Sequence, residues 1–230
     1  MGKKVAILQS NYIPWKGYFD LIASVDEFIL YDDMQYTRRA WRNRNKIMTP
    51  NGLQWLSIPV QVKGKFYQAI NETKVVDHDW VDTHWKGIQM NYARAKYFGE
   101  YKDRIRAVYE KCREEDYLSR INYLFITEIC DILGITTKIT WSSDYTLIDG
   151  KTERLVQLVR DAGGDYYLSG PAAKDYIVPE LFSDAGVELA WMSYEGYPEY
   201  TQLSKEFDHH VSVLDLIFNE GPNARSFMLK

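Results

Sequence analysis

Between Asp33 and Glu72 the chain has no carboxylate, yet seven cations fall in that span: Arg38, Arg39, Arg42, Arg44, Lys46, Lys63 and Lys65. The formal net charge is −4, so setting this +7 stretch aside leaves −11 for the rest. Positive charge gathered in one segment of an acidic chain fits a pocket for an anion. A polyanion-binding face needs positive potential over a broad surface. The densest part runs Arg38-Arg39-Ala40-Trp41-Arg42-Asn43-Arg44-Asn45-Lys46. Guanidinium forks, amides and an indole suit phosphate, a carboxylate or a nucleotide base. Arg42 and Arg44, flanking Asn43, lead as anion ligands, with Arg38 and Asn45 beside them. The plain alternative is a solvated edge that discourages strand aggregation, but ordinary solvated surfaces mix both signs.

Four other places carry candidate chemistry. The loop Gln9-Ser10-Asn11-Tyr12-Ile13-Pro14-Trp15 follows a predicted strand, and Asn11, Tyr12 and Trp15 are its candidate ligand contacts. Its spacing Trp15-x-Gly17-Tyr18 resembles the His-x-Gly-His signature of nucleotidyltransferases, with both histidines replaced. Asp32 and Asp33 close a second strand, where carboxylates orient hydroxyls or simply form a solvated turn. Ser169-Gly170 opens a predicted helix with Lys174 in its first turn, a pattern that attracts anions and equally a routine cap. His84 shares a helical stripe with Trp80 and Ile88. That is the pattern of a hydrogen-bonded core histidine, although its ordinary pKa also makes it the candidate general base. The catalytic candidates are therefore His84, Asp32 and Asp33. Neither Asp77, His78 and His84 nor His209-His210 has metal-ligand spacing, so no metal is expected.

These residues need a scaffold to meet. The 230 residues are 46% hydrophobic and 26% charged, the balance of a globular chain. Cys112 and Cys130 have no partners at metal spacing, and no leader or membrane-spanning run is visible, so a cytoplasmic protein without membrane insertion is expected. Val5–Gln9, Phe28–Tyr31, Asp165–Leu168 and Val187–Trp191 read as strands and Thr137–Trp141 as strand-like, with helical patterns between them, and four buried strands are expected in the sheet. Pro14 is expected at the first helical position, and Ser212 is expected to cap the last helix. The fold class is α/β: one domain over 1–230, a mostly parallel sheet with flanking helices. Within it lie an antiparallel β-ribbon at about 44–76, with a third strand through Val76, and a helical segment at about 79–134. Parallel sheets bind ligands at the strands' carboxyl ends, which would bring together the first loop, Asp32-Asp33, Trp141-Ser142-Ser143 and Ser169-Gly170.

Several segments together resemble the WbqC-like family: the run Gln9 to Phe19, Asp32-Asp33-Met34-Gln35-Tyr36, Trp41 to Ile47, Tyr167-Leu168-Ser169-Gly170 and Ser212 to Gly221. The resemblance covers essentially the whole chain and implies a role in bacterial O-antigen or other surface-polysaccharide synthesis. It supplies no assigned catalytic residues. Taken with the cationic segment, the expectation is an enzyme that modifies a nucleotide-linked amino sugar by acyl or aminoacyl transfer to its amine. The partners are then a nucleotide-linked sugar and an acyl donor, with an acyl carrier or ATP as cofactor and no nucleic acid. ATP-dependent ligation, glycosyl transfer and non-catalytic sugar-nucleotide binding are the rivals. The oligomeric state is not legible from these residues.

Overall fold

The computed structural model describes residues 2–204 and 206–230. Five strands form one sheet: β1 (Lys4–Leu8), β2 (Glu27–Leu30), β5 (Lys138–Trp141), β6 (Tyr166–Ser169) and β7 (Glu188–Trp191). Their order is β5-β2-β1-β6-β7, and every neighbouring pair is parallel. The chain builds outward from β1 in one direction and then in the other. The order therefore reverses between β1 and β6, and a crevice opens there at the carboxyl ends of both strands.

Side chains alternate across this sheet, so each strand feeds two cores. Ala6, Phe28 and Leu30 face a large cluster with Phe19 and Ile22 of α1 (Lys16–Ala23). The same cluster takes the apolar faces of α2 (Asp79–Tyr92), α3 (Phe98–Lys111), α4 (Leu118–Ile132) and α7 (Val213–Glu220). Val5, Ile7, Ile29, Tyr31 and Tyr167 face the opposite way. They pack on Leu155 and Val159 of α5 (Thr152–Asp161) and on Phe182 of α6 (Pro179–Asp184).

The ribbon is shorter than the sequence pattern predicts. β3 (Arg44–Thr49) and β4 (Gly52–Ser57) pair antiparallel from Arg44↔Ser57 to Thr49↔Gly52, turning at Gly52 with φ +98°. Pro59 has no N–H to donate, so the ladder ends there. Instead of a third strand, the chain to Val76 makes isolated bridges, Val60↔Val75 and Lys74↔Tyr117, around a 3-10 turn at Ile70–Glu72. Two expected helix starts also move. The first helix begins at Lys16 with Trp15 as its cap, leaving Pro14 outside it. Ser169 caps nothing, being the buried last residue of β6, and the chain continues into a short 3-10 helix, Pro171–Asp175, behind Gly170. Ser212 does cap α7, accepting from Leu214 N at 3.3 Å.

Candidate functional site

The loop after β1 is held in an unusual conformation. Ile13 has φ +36°, which a β-branched side chain rarely adopts. Such strain persists only where the surroundings enforce it. Here Asn45 Nδ2 donates to the carbonyls of Tyr12 and Ile13 at 3.1 and 2.9 Å, and Val213 N donates to Pro14 O at 2.9 Å. Tyr12 N donates to Trp41 O at 3.0 Å. The ribbon and α7 thus clamp the loop from two sides.

Trp15 lies flat across its own helix start. A Cβ on Gly17 would sit 2.3 Å from the indole, so the Trp15-x-Gly17 spacing is a floor for that ring. Tyr194 and Tyr197 meet Trp15 edge on, and His210 stacks on it with centroids 5.8 Å apart. Trp15, His210, Trp41, Asn11, Pro14 and Asn45 line a cavity of about 250 Å³. A second cavity of about 540 Å³ opens at the β1/β6 reversal, lined by Gln9, Tyr31, Lys151, Arg154, Tyr167 and Tyr176 among others.

Arg42 links the two. Its guanidinium donates to Oδ1 of Asn11, which lines the first cavity, and at 2.8 Å to Oε1 of Gln9, which lines the second. No carboxylate lies within ion-pair range of it among the described residues. Burial pushes its pKa down, opposed by the more distant Tyr18 and Asp32. A half-buried guanidinium with only neutral acceptors carries a charge that an incoming anion would balance.

The two aspartates divide. Asp32 is buried, accepting from Ser10 N at 2.8 Å and from the Ser119 hydroxyl, while Asn122 Nδ2 reaches Ser10 Oγ and Arg42 O, both at 2.9 Å. Burial raises its pKa, against the bonds from Ser119 and Ser10 and the nearby Arg42. Both carboxylate oxygens are occupied, so Asp32 anchors the loop instead of offering an atom to a ligand. Asp33 accepts from Ser142 and, at 2.9 Å, from Arg154, and so steers a cation of the larger cavity.

Other predicted residues are scattered. Tyr12 and His84 form a buried pair, Oη to Nδ1 at 2.8 Å, with Tyr109 Oη 2.6 Å from Tyr12. Burial pushes the His84 pKa down to about 4, although the Ser57 backbone bonds the ring. It is a neutral core histidine and lines neither cavity. Arg44 lies over the Trp55 ring at 4.3 Å and donates to Arg39 O, outside the Arg42 network. Asn43 closes the ribbon base, Nδ2 to Ile58 O at 2.8 Å. Arg38 donates to Val62 O at 3.3 Å, and exposed Lys174 sits 5.6 Å over Trp191. Ser169 and Gly170 stand at the β6 end without lining either cavity.

Three groups were not foreseen. His210, an exposed side chain, lines the small cavity, with its Nδ1 3.2 Å from Asp208 Oδ1. Arg154 enters from a helix face that reads as surface. Lys16 is buried, donating to Pro198 O at 3.2 Å beneath the Tyr197 and Tyr200 rings, and burial pushes its pKa down to about 8 against the pull of Asp20. The adjacent histidines were the one signal available for His210. Among the described residues no group of three or more His, Cys, Asp or Glu is placed to hold a metal.

Comparison with known proteins gives matches over nearly the whole chain. The WbqC-like protein family matches residues 9–227. A Mycobacterium tuberculosis (strain ATCC 25618 / H37Rv) protein named uncharacterized protein Rv1507c is 49% identical over 226 residues, covering 98% of this chain and 97% of the relative. No solved structure matches.

Proposed function

We propose that this chain, which belongs to the WbqC-like protein family, modifies a nucleotide-linked amino sugar on the way to a bacterial surface polysaccharide, by acyl or aminoacyl transfer to the sugar amine. The observation that carries this reading is Arg42, a half-buried cation without a carboxylate in ion-pair range among the described residues, bonded to one lining residue of each cavity. A nucleotide sugar has that layout: a nucleoside and a sugar joined through a diphosphate. The larger cavity lies where doubly wound sheets take nucleotides, and its tyrosines and Arg154 suit a base and ribose. The smaller offers Trp15 and Trp41 to a sugar's C–H face and the Asn11 amide to its hydroxyls.

The chemistry then needs one proton acceptor. As the sugar nitrogen attacks the acyl carbonyl, a C–N bond forms, the donor's ester or thioester bond breaks, and the leaving oxygen or sulfur takes the electron pair. Nε2 of His210, its ring oriented by Asp208, accepts the amine proton and passes it to the leaving group. His84 has no part in this scheme.

The test is calorimetry with a panel of nucleotide sugars. Arg42→Ala weakens binding by about 100-fold, the loss of two charge-assisted bonds, while Arg44→Ala leaves affinity within about threefold of wild type. Equal losses for both, or none for Arg42→Ala in a variant whose thermal unfolding is unchanged, remove the phosphate assignment. The strand order also supports ATP-dependent ligation as a second reading, because mononucleotide-binding halves share it. Trp15 and the buried Tyr18, whose hydroxyl donates to Gln9 O at 3.1 Å, replace the imidazoles that such chemistry uses on phosphates. Pyrophosphate release from ATP and a carboxylic acid would favour it.

A further inference from the structure

The segment after Val62 projects as a loop whose tip reads Lys63-Gly64-Lys65-Phe66-Tyr67. Phe66 is 73% exposed and Tyr67 85%, the most exposed of the large hydrophobic side chains among the described residues. They meet edge on, centroids 5.0 Å apart. The loop is built and tied down. Lys65 N donates to Val62 O at 3.3 Å across Gly64, whose φ is +74°. Gln35 Nε2 donates to Phe66 O at 2.8 Å, Gln68 Nε2 to Gln61 O at 2.7 Å, and Arg38 reaches Val62 O. These bonds hold two adjacent rings out in water, where folding normally buries them.

Cations accompany the rings: Arg38 and Lys65 line a surface pocket with Phe66, and Lys63 lies in the tip itself, in the stretch that has no carboxylate from residue 34 to 71. Aromatic rings settle at the headgroup level of a bilayer, and lysine and arginine beside them are drawn to anionic lipid. We propose that this tip docks the protein on an anionic membrane surface, with Phe66 and Tyr67 among the headgroups and Lys63, Lys65 and Arg38 against the lipid phosphates. Charge favours a membrane over a protein partner as the occupant. With those three cations set aside the rest of the chain carries −7, so an anionic sheet attracts this one corner, repels the remainder and selects a single orientation. Among the described residues no helix is long and apolar enough to cross a membrane, so the attachment is peripheral. The inference does not depend on the ligand assigned to Arg42.

Vesicle co-sedimentation of the full chain tests it, comparing phosphatidylcholine alone with phosphatidylcholine containing phosphatidylglycerol. Wild type partitions onto the anionic vesicles and comes off as salt rises. Lys63→Gln with Lys65→Gln lowers the partition coefficient roughly 30-fold, and Phe66→Ser with Tyr67→Ser lowers it about tenfold or more. All four side chains are exposed, so the thermal unfolding of both double variants matches wild type. Absence of binding to anionic vesicles overturns the proposal and leaves the tip to a protein partner. Anionic binding that survives the loss of both rings overturns it too, since that is attraction to any polyanion.

Discussion

Arg42 and Arg44 stand two residues apart, and their neighbours give them different work. Arg44, half-buried, lies over an indole face and donates to a carbonyl, while its Nε has no partner among the described residues. Arg42 is drawn inward by two amide oxygens and meets no carboxylate within ion-pair reach among the described residues, a costly arrangement unless an anion completes it. The histidines divide the same way. His84 lies in an aromatic core, Nδ1 against Tyr12. His210 lies at a cavity with its ring oriented by Asp208. Once turnover is measurable, His210→Ala should lower kcat by about 100-fold or more with KM little changed. His84→Gln should lower stability and leave the kcat of the folded fraction intact. The reverse pattern would return the proton-transfer role to the core histidine.

At the scale of elements, the first loop and first helix act as one part. Ile13 takes a strained φ because Asn45 and Val213 hold the backbone on both sides of it. Trp15 then folds over the helix start, where only glycine leaves room. An exposed helical Gly→Ala change gains up to about 1 kcal/mol from helix propensity. At Gly17 the new methyl would collide with an indole already hemmed in by Tyr194, Tyr197 and His210, and overpacking costs roughly 1–3 kcal/mol. The clash wins. Gly17→Ala is expected to be net destabilising, to change the near-ultraviolet circular dichroism of Trp15, and to abolish binding in the small cavity. A stabilised variant with an unaltered aromatic spectrum would show that the indole is free to leave.

Across the whole molecule the candidate site and a buried carboxylate network lie at opposite ends of the sheet. At the amino ends, the buried Glu27 carboxylate accepts from Lys3 at 2.7 Å, Lys138 at 3.2 Å and Thr140 at 2.9 Å, and from the Tyr145 hydroxyl. Burial alone would raise its pKa, but these four partners outweigh burial and bring it down to about 2. The folded value lies below the unfolded one, near 4.3. Its contribution is therefore complete above pH 4.3 and is lost as pH falls through about 2. Glu27→Gln should cost about 2–3 kcal/mol at neutral pH, and that deficit should shrink steadily below pH 4. Urea unfolding at neutral and acid pH measures this, and a deficit of constant size would exclude the linkage. Ligand affinity at neutral pH should be untouched, because the sheet separates the two ends.

The strands and the parallel sheet were legible because five short apolar runs alternating with helical periodicity admit few other layouts. The cationic stretch without acids was equally plain, since charge is a property of composition. So were the Ser212 cap and the place of the first loop at a strand's carboxyl end. Pairing was not legible. Whether Asp32 holds a ligand or the loop depends on Ser119 and Asn122, which lie on a helix some ninety residues away in the chain. Which arginine faces inward, which histidine meets a cavity and where the ribbon stops were likewise decided by packing. Local sequence sets what a side chain is able to do. Long-range contacts choose its neighbours, and for a buried charge or an imidazole the neighbours decide which of those abilities is used.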